Sequence, residues 1–293
     1  MTSIKLLACD IDGTILRSDG TLSQRTRDAI ALAQFHGTKV CLVTGRRIES
    51  AMRIVRELEL KTAFVAHCGA VVIDPGYEKP LMAKHIPASV ALSICNVAEK
   101  HGLSAAVYEN VNNGRSVFMN SLEAVEEAQR LWPNLARVCR LVKDFDQACA
   151  HDPIQLAVRG SQRATKMFWE ETNAAYGDEL FAMDYGIVEN GKVLMELMAA
   201  GISKGTGAAF LADLYGFTRD EVAGFGDSIN DRELLEYAGL SVAMGNSPDF
   251  LKDIAVKVAP SCDEDGVAQV IEVLSASGRL AGHPEENVSE LRH

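Results

Sequence analysis

Asp10 and Asp12 stand one residue apart in the run Cys9-Asp10-Ile11-Asp12-Gly13-Thr14. In a locally extended chain two such carboxylates point the same way, and Gly13 lets the backbone turn sharply just after them. Side by side they repel each other unless a proton or a cation lies between them, and their hard oxygens suit Mg²⁺. A lone D-x-D-G run is more often a solvated turn. Here three further groups carry side chains able to do chemistry: Thr44-Gly45-Arg46, Lys204, and Gly226-Asp227-Ser228-Ile229-Asn230-Asp231.

The segments that must position these groups are short and apolar. Residues 4–8 read as a buried strand ending at Asp10, 39–43 as a strand ending at Thr44, and 222–225 as a strand ending at Gly226-Asp227. Helices fit 22–36, with Gly37 as a C-cap, and 47–59; a strand over 63–66 and a return strand over 71–73 follow. Strand, helix, strand, helix, strand indicates a doubly wound α/β parallel sheet. In such sheets ligands gather at the carboxyl ends of the strands.

The texture changes near residue 84. Helix 88–101, extended runs 104–109 and 116–119 around Asn112-Asn113-Gly114, helix 121–131, strands 137–142 and 154–159, helix 161–176 and strand 180–183 mix hairpins with helices. This α+β block, 84–193, reads as an inserted cap domain. The core is then 1–83 with 194–275, and the hinges fall near residues 80–84 and 190–193. The first rhythm resumes with helix 205–215, helix 231–238, strand 240–244 and helix 266–274; residues 276–293 read as a polar, frayed tail.

Taken in order, Asp10-Ile11-Asp12-Gly13-Thr14, Thr44-Gly45-Arg46, Lys204 and Gly226 to Asp231 resemble the four motifs of the haloacid dehalogenase superfamily. The insertion between Thr44 and Lys204 is similar to that of its Cof-type, sugar-phosphatase-like branch. The resemblance implies a Rossmann-like core and a Mg²⁺-dependent phosphatase of small phosphorylated metabolites, either sugar phosphates or phosphorylated cofactors. It implies that Asp10 is the nucleophile that forms an aspartyl-phosphate. Asp12 is then the general acid and later the base, with its backbone carbonyl on the metal. Asp227 supplies a further carboxylate to Mg²⁺, and Asp231 either supports the metal or caps a helix. Thr44, by its hydroxyl and N–H, Gly45 within the same turn, Lys204 as a point charge and Asn230 by its amide would hold the phosphate. Two positions depart from the Cof-type pattern: Cys68 and Cys262 stand where Asn is usual, and a thiol poorly replaces an amide that both donates and accepts.

Composition narrows the classes. The 293 residues are 47% hydrophobic and 24% charged, enough for two domains and ordinary for a globular protein. A net charge of −11 without a basic cluster argues against nucleic acid and against an anionic membrane. With no evident secretory signal and no apolar run of membrane-spanning length, a cytoplasmic location is expected. The seven cysteines form no C-x-x-C pair, so neither a disulfide framework nor a zinc site is expected. Two rival functions carry the same motifs: a phosphomutase of the phosphomannomutase type, and a non-catalytic binding protein on the same scaffold.

Overall fold

The computed structural model describes residues 2–76, 79–111, 116–131 and 138–280. The expected hairpin turn Asn112-Asn113-Gly114, Trp132 and the tail beyond residue 280 lie outside the described residues.

The chain begins with β1 (Leu6–Cys9), then α1 (Gln24–Phe35), β2 (Lys39–Leu42), α2 (Ile48–Glu57), β3 (Phe64–Ala66) and β4 (Val71–Ile73). α1 starts where Ser23 accepts the Thr26 N–H at 3.0 Å, an N-cap that satisfies one of the orphan donors of the first turn. Next come β5 (Met82–Ala83), α3 (Ala88–Lys100), β6 (Ser104–Tyr108), β7 (Val117–Met119), α4 (Leu122–Leu131), β8 (Cys139–Leu141), α5 (Asp146–Cys149), β9 (Gln155–Ser161), α6 (Gln162–Tyr176), β10 (Leu180–Glu189) and β11 (Lys192–Ala199). The last stretch holds α7 (Lys204–Leu214), β12 (Val222–Gly226), α8 (Arg232–Tyr237), β13 (Leu240–Ala243), α9 (Asp249–Ile254), β14 (Lys257–Val258) and α10 (Gly266–Ala276).

Two compact units result. One combines the chain up to Glu78 with the chain from Ser203 onward, and the other is Lys79–Ile202. Among the described residues the first unit holds a five-stranded sheet in the order β14-β13-β12-β1-β2, all pairs parallel. A parallel bridge between Val43 and Val65 attaches β3 beyond β2. The strands are apolar throughout and buried on both sides, as a parallel sheet covered by helices requires. The chain leaves β1 toward β2 and later returns on the other side as β12. The carboxyl ends of β1 and β12 are therefore the switch point of the sheet, where ligands of such folds bind.

The second unit carries a mostly antiparallel sheet, β10-β11-β9-β6-β7-β8, in which only β7 and β8 run parallel. Ala124 and Ala128 of α4 pack onto Ala106, Val117, Met119 and Ala157 of its strands. Glu127 on the same helix lies between Arg159 at 3.3 Å and Lys192 at 3.1 Å, tying α4 to β9 and β11.

Three expectations need correction. The stretch 190–193 is not a hinge: Asn190 and Gly191 have φ of +51° and +71°, the conformation of a two-residue hairpin turn. That turn feeds β11, which pairs with both β10 and β9, so the junction falls after Ile202 rather than at 193. β11 is nearly continuous in apolar residues and lacks the alternation that would have marked it. The tail begins later than 276, because buried Leu280 makes a parallel bridge to Ile4 beside β1. Finally, α9 and β14 extend the sheet where no periodic pattern predicted them.

Ser203 opens the helix that carries Lys204. Its hydroxyl accepts the Thr206 N–H at 3.1 Å, and the Thr206 hydroxyl accepts the Ser203 N–H at 2.9 Å. Loss of this reciprocal cap in Ser203→Ala should lower stability by about 1 kcal/mol, read as a shifted urea midpoint at unchanged slope.

Candidate active site

Asp10 follows β1 directly, and its N–H continues the ladder to Phe225 O at 3.0 Å. The carboxylate is buried, at 4% exposure. The next five residues turn tightly, with Gly13 at φ +70°. A Cβ on Gly13 would lie 2.2 Å from Asp227 Oδ2, so only glycine lets the first loop approach the second carboxylate. Thr14 Oγ1 donates to Asp227 Oδ1 at 3.1 Å. Asn246 donates to Gly13 O at 2.9 Å and to Asp227 Oδ2 at 3.2 Å, while its Oδ1 accepts the Cys262 N–H at 2.9 Å. The far end of the loop is fastened by Arg17, which grips both oxygens of Asp265 at 2.9 Å.

Lys204, in the first turn of α7, reaches back under the strand ends. Its Nζ lies 2.8 Å from Asp10 Oδ1 and 2.7 Å from Asp231 Oδ1, at 1% exposure. Asp231 is fully buried. Its second oxygen accepts the N–H groups of Asp227 at 3.0 Å and Ser228 at 2.9 Å. Asp231 makes no side-chain cap bond to α8, contrary to the N-cap reading; it stands at the third position of the turn Ile229–Asp231, whose N-cap is Ser228, and closes that turn from there.

Asp10, Asp227 and Asp231 each bring a carboxylate oxygen within 4.8 Å of the others. Three carboxylates gather near one ammonium, and the acidities of Asp10 and Asp227 show the imbalance. Burial first, then Asp231 and Asp227, hold Asp10 well above the usual carboxylate range, against the opposing pull of Lys204. Burial and then Asp231 push Asp227 up to about 6, although Lys204 and the Thr14 hydroxyl oppose the shift. Burial alone would depress the Lys204 ammonium, but Asp10 and Asp231 outweigh it and raise its proton affinity. A cluster of hard oxygens with unbalanced negative charge is what a small divalent cation fits.

Asp12 was expected to offer the metal its backbone carbonyl, and its carboxylate stands apart from this trio. Arg46 holds it through both oxygens, with Nε to Oδ2 at 2.7 Å and Nη2 to Oδ1, and the Asp12 side chain is 61% exposed. Thr44 also needs correction. Its N–H, expected on a phosphate, donates to Val65 O at 3.1 Å because β3 lies beside it. Its buried hydroxyl oxygen accepts the Arg46 N–H at 3.1 Å and keeps its own hydrogen to donate. Gly45 lies against two side chains: a Cβ there would come 3.0 Å from Cys68 Sγ and 3.4 Å from Asn230 Nδ2. Gly45, Cys68 and Asn230 therefore pack together beside Thr44, while Lys204 pairs with Asp10. Sequence reasoning missed Asn246 and gave Arg46 no role. Asn246 follows the carboxyl end of β13, so the logic that singled out Asp10 and Asp227 could have found it.

Residues 7–271 match the family of haloacid dehalogenase-like hydrolases. The chain is 28% identical over 272 residues to the 5-amino-6-(5-phospho-D-ribitylamino)uracil phosphatase YitU of Bacillus subtilis, covering 91% of this chain and 96% of that one. It is 25% identical over 281 residues to the pyridoxal phosphate phosphatase YbhA of Escherichia coli, with 91% and 97% covered. A solved haloacid dehalogenase-like hydrolase from B. subtilis superimposes with a TM-score of 0.77 at 26% identity, covering 92% of this chain and 100% of that one. The strand-end carboxylates, the buried lysine and the match over nearly the whole length agree: the chain belongs to the haloacid dehalogenase-like hydrolases.

Proposed function

We propose that this protein is a Mg²⁺-dependent phosphatase of small phosphorylated metabolites that works through an aspartyl-phosphate on Asp10. The observation that carries the reading is the buried Asp10–Lys204–Asp231 chain beside Asp227, at the switch point of the parallel sheet. An oxygen of Asp10 attacks phosphorus as the bond to the leaving oxygen breaks, and Asp12 delivers a proton to the departing alcohol. Water then attacks the phosphoryl group, Asp12 takes its proton, and inorganic phosphate leaves with Asp10 regenerated. Lys204 opposes protonation of Asp10, holds it in place and offers positive charge to the phosphoryl oxygens. The Thr44 hydroxyl and the Asn230 amide supply neutral donors to the same oxygens. A divalent cation on Asp10 and Asp227, buttressed by Asp231, would cancel the repulsion between an anionic nucleophile and an anionic ester.

Relatives named for a phosphorylated ribitylaminouracil and for pyridoxal phosphate support phosphorylated cofactors and their precursors as the substrate class. Residues 79–202, inserted between Thr44 and Lys204, are assigned the choice among such substrates as a cap. A panel of these phosphates, scored for free phosphate against isomerised product, separates the phosphatase from a mutase.

Asp10→Asn should reduce turnover by about 10³-fold or more while the protein stays folded. A folded variant with near wild-type turnover would exclude Asp10 as nucleophile. The metal has its own signature in pH. A carboxyl whose proton affinity is raised on folding stabilises the metal-free protein fully below its unfolded pKa, and that contribution is lost as pH rises through its folded value, about 6 for Asp227. A cation must displace that proton below pH ~6 and need not above it. The gain in melting temperature on replacing EDTA by Mg²⁺ should therefore be larger at pH ~7.5 than at pH ~5. An equal gain at both would contradict a metal on Asp227.

A further inference from the structure

We propose that Cys68 is a positioning residue of the phosphate pocket: its thiol orients the Asn230 amide toward the oxygens of bound phosphate. The proposal rests on the phosphatase reading above. Cys68 is fully buried, and its Sγ receives the Asn230 Nδ2–H at 3.9 Å. The same sulfur and the same nitrogen are the two atoms that a Cβ on Gly45 would meet, so the thiol, the amide and the Thr44-Gly45 turn form one packed junction. The Cys68 N–H donates to Thr44 O at 3.1 Å, which fixes the cysteine to the residue whose hydroxyl is proposed above as a phosphate donor. Cys68 is also close enough to Lys204 to contribute to that residue's raised proton affinity.

The backbone supports a purpose beyond filling space. His67 and Cys68 are consecutive non-glycine residues in the left-handed region, with φ of +50° and +53°. Such conformations persist where surrounding structure enforces them, and they cluster at ligand sites. Here the turn aims a side chain at the junction rather than along a strand. Sulfur is a weak acceptor. It can hold an amide in orientation yet release the N–H to a phosphate oxygen at small cost, whereas a carboxylate in its place would retain the amide and repel the ligand.

The test is a double-mutant cycle on the full chain with Mg²⁺, with inorganic phosphate as the probe in calorimetry and p-nitrophenyl phosphate as the substrate. Cys68→Ala should weaken phosphate binding about fivefold, the scale of one hydrogen bond. KM should rise in step, with the smaller loss in kcat. In an Asn230→Ala background the same substitution should change phosphate binding no further. Unchanged phosphate affinity in Cys68→Ala, a loss confined to kcat, or an equal loss in both backgrounds would overturn the proposal. Cys68→Ser keeps an acceptor and covers the case in which the alanine variant does not fold. Wild-type phosphate affinity in it, or a loss that vanishes with Asn230→Ala, supports the proposal; a loss that persists there overturns it. Absence of phosphate release by the wild-type protein would instead sink the phosphatase reading, since calorimetric binding reports on Cys68 independently of turnover.

Discussion

One buried ammonium holds this site together. Lys204 lies between Asp10 and Asp231, and all three are almost wholly removed from water. Taking such charges out of water is repaid only when each is paired and hydrogen-bonded, and removing one partner costs on the order of 3–5 kcal/mol. The fold must therefore bring together three segments far apart in sequence: the end of β1, the start of α7 and the turn after β12. The parallel sheet does this by placing β12 directly beside β1, with Cys9 opposite Phe225. The Ser203 cap does the rest, fixing the first turn of α7 so that the lysine points inward.

That constraint also shows why some of the site could be read from the chain and some could not. Asp10, Asp227 and Lys204 follow short apolar strands or a serine cap, and strand ends and caps are local features. The commitments of Thr44 are not local. Its N–H goes to Val65, a residue of a strand that becomes its neighbour only once the chain has folded, so the donor expected for phosphate is already engaged. Alternate residues of an extended chain share a side, so the Asp12 carboxylate was expected beside that of Asp10. The chain turns at Gly13 instead, and Arg46 captures the second carboxylate. At the level of the fold, β1, β2, β3 and β12 were legible because each is a compact apolar run bounded by polar turn residues. β11 escaped because its Asn190-Gly191 turn was taken for a linker and its apolar run lacks a period.

The pairing of Asp12 with Arg46 bears on the proposed chemistry. Arg46 holds both oxygens of Asp12, so neither is free for another partner while that grip lasts. In the proposed mechanism Asp12 reaches the leaving alcohol, and later the water, only when that grip loosens. The phosphate of a substrate is itself a good partner for a guanidinium. Competition for Arg46 between ester and carboxylate offers a route by which substrate arrival and proton delivery are linked.

The hydrogen-bond inventory separates the three clustered carboxylates by task. Asp231 has one oxygen on Lys204 and the other on two backbone N–H groups, so its charge is met by the protein and it acts as a buttress. Among the described residues, the Asp227 carboxylate receives a hydroxyl and an amide side chain, from Thr14 and Asn246. Neutral donors do not offset its burial and its acidic neighbours, which is why its proton affinity rises to near neutrality. Asp10 is matched on one oxygen by Lys204 and still sits above the ordinary carboxylate range. A proton or a cation would relieve the same deficit, and it falls on the two carboxylates at the ends of β1 and β12. The residue most fully satisfied within the protein is thus the one least available to a metal, and the unmet charge is concentrated on Asp10 and Asp227, the residues proposed as nucleophile and cation ligand.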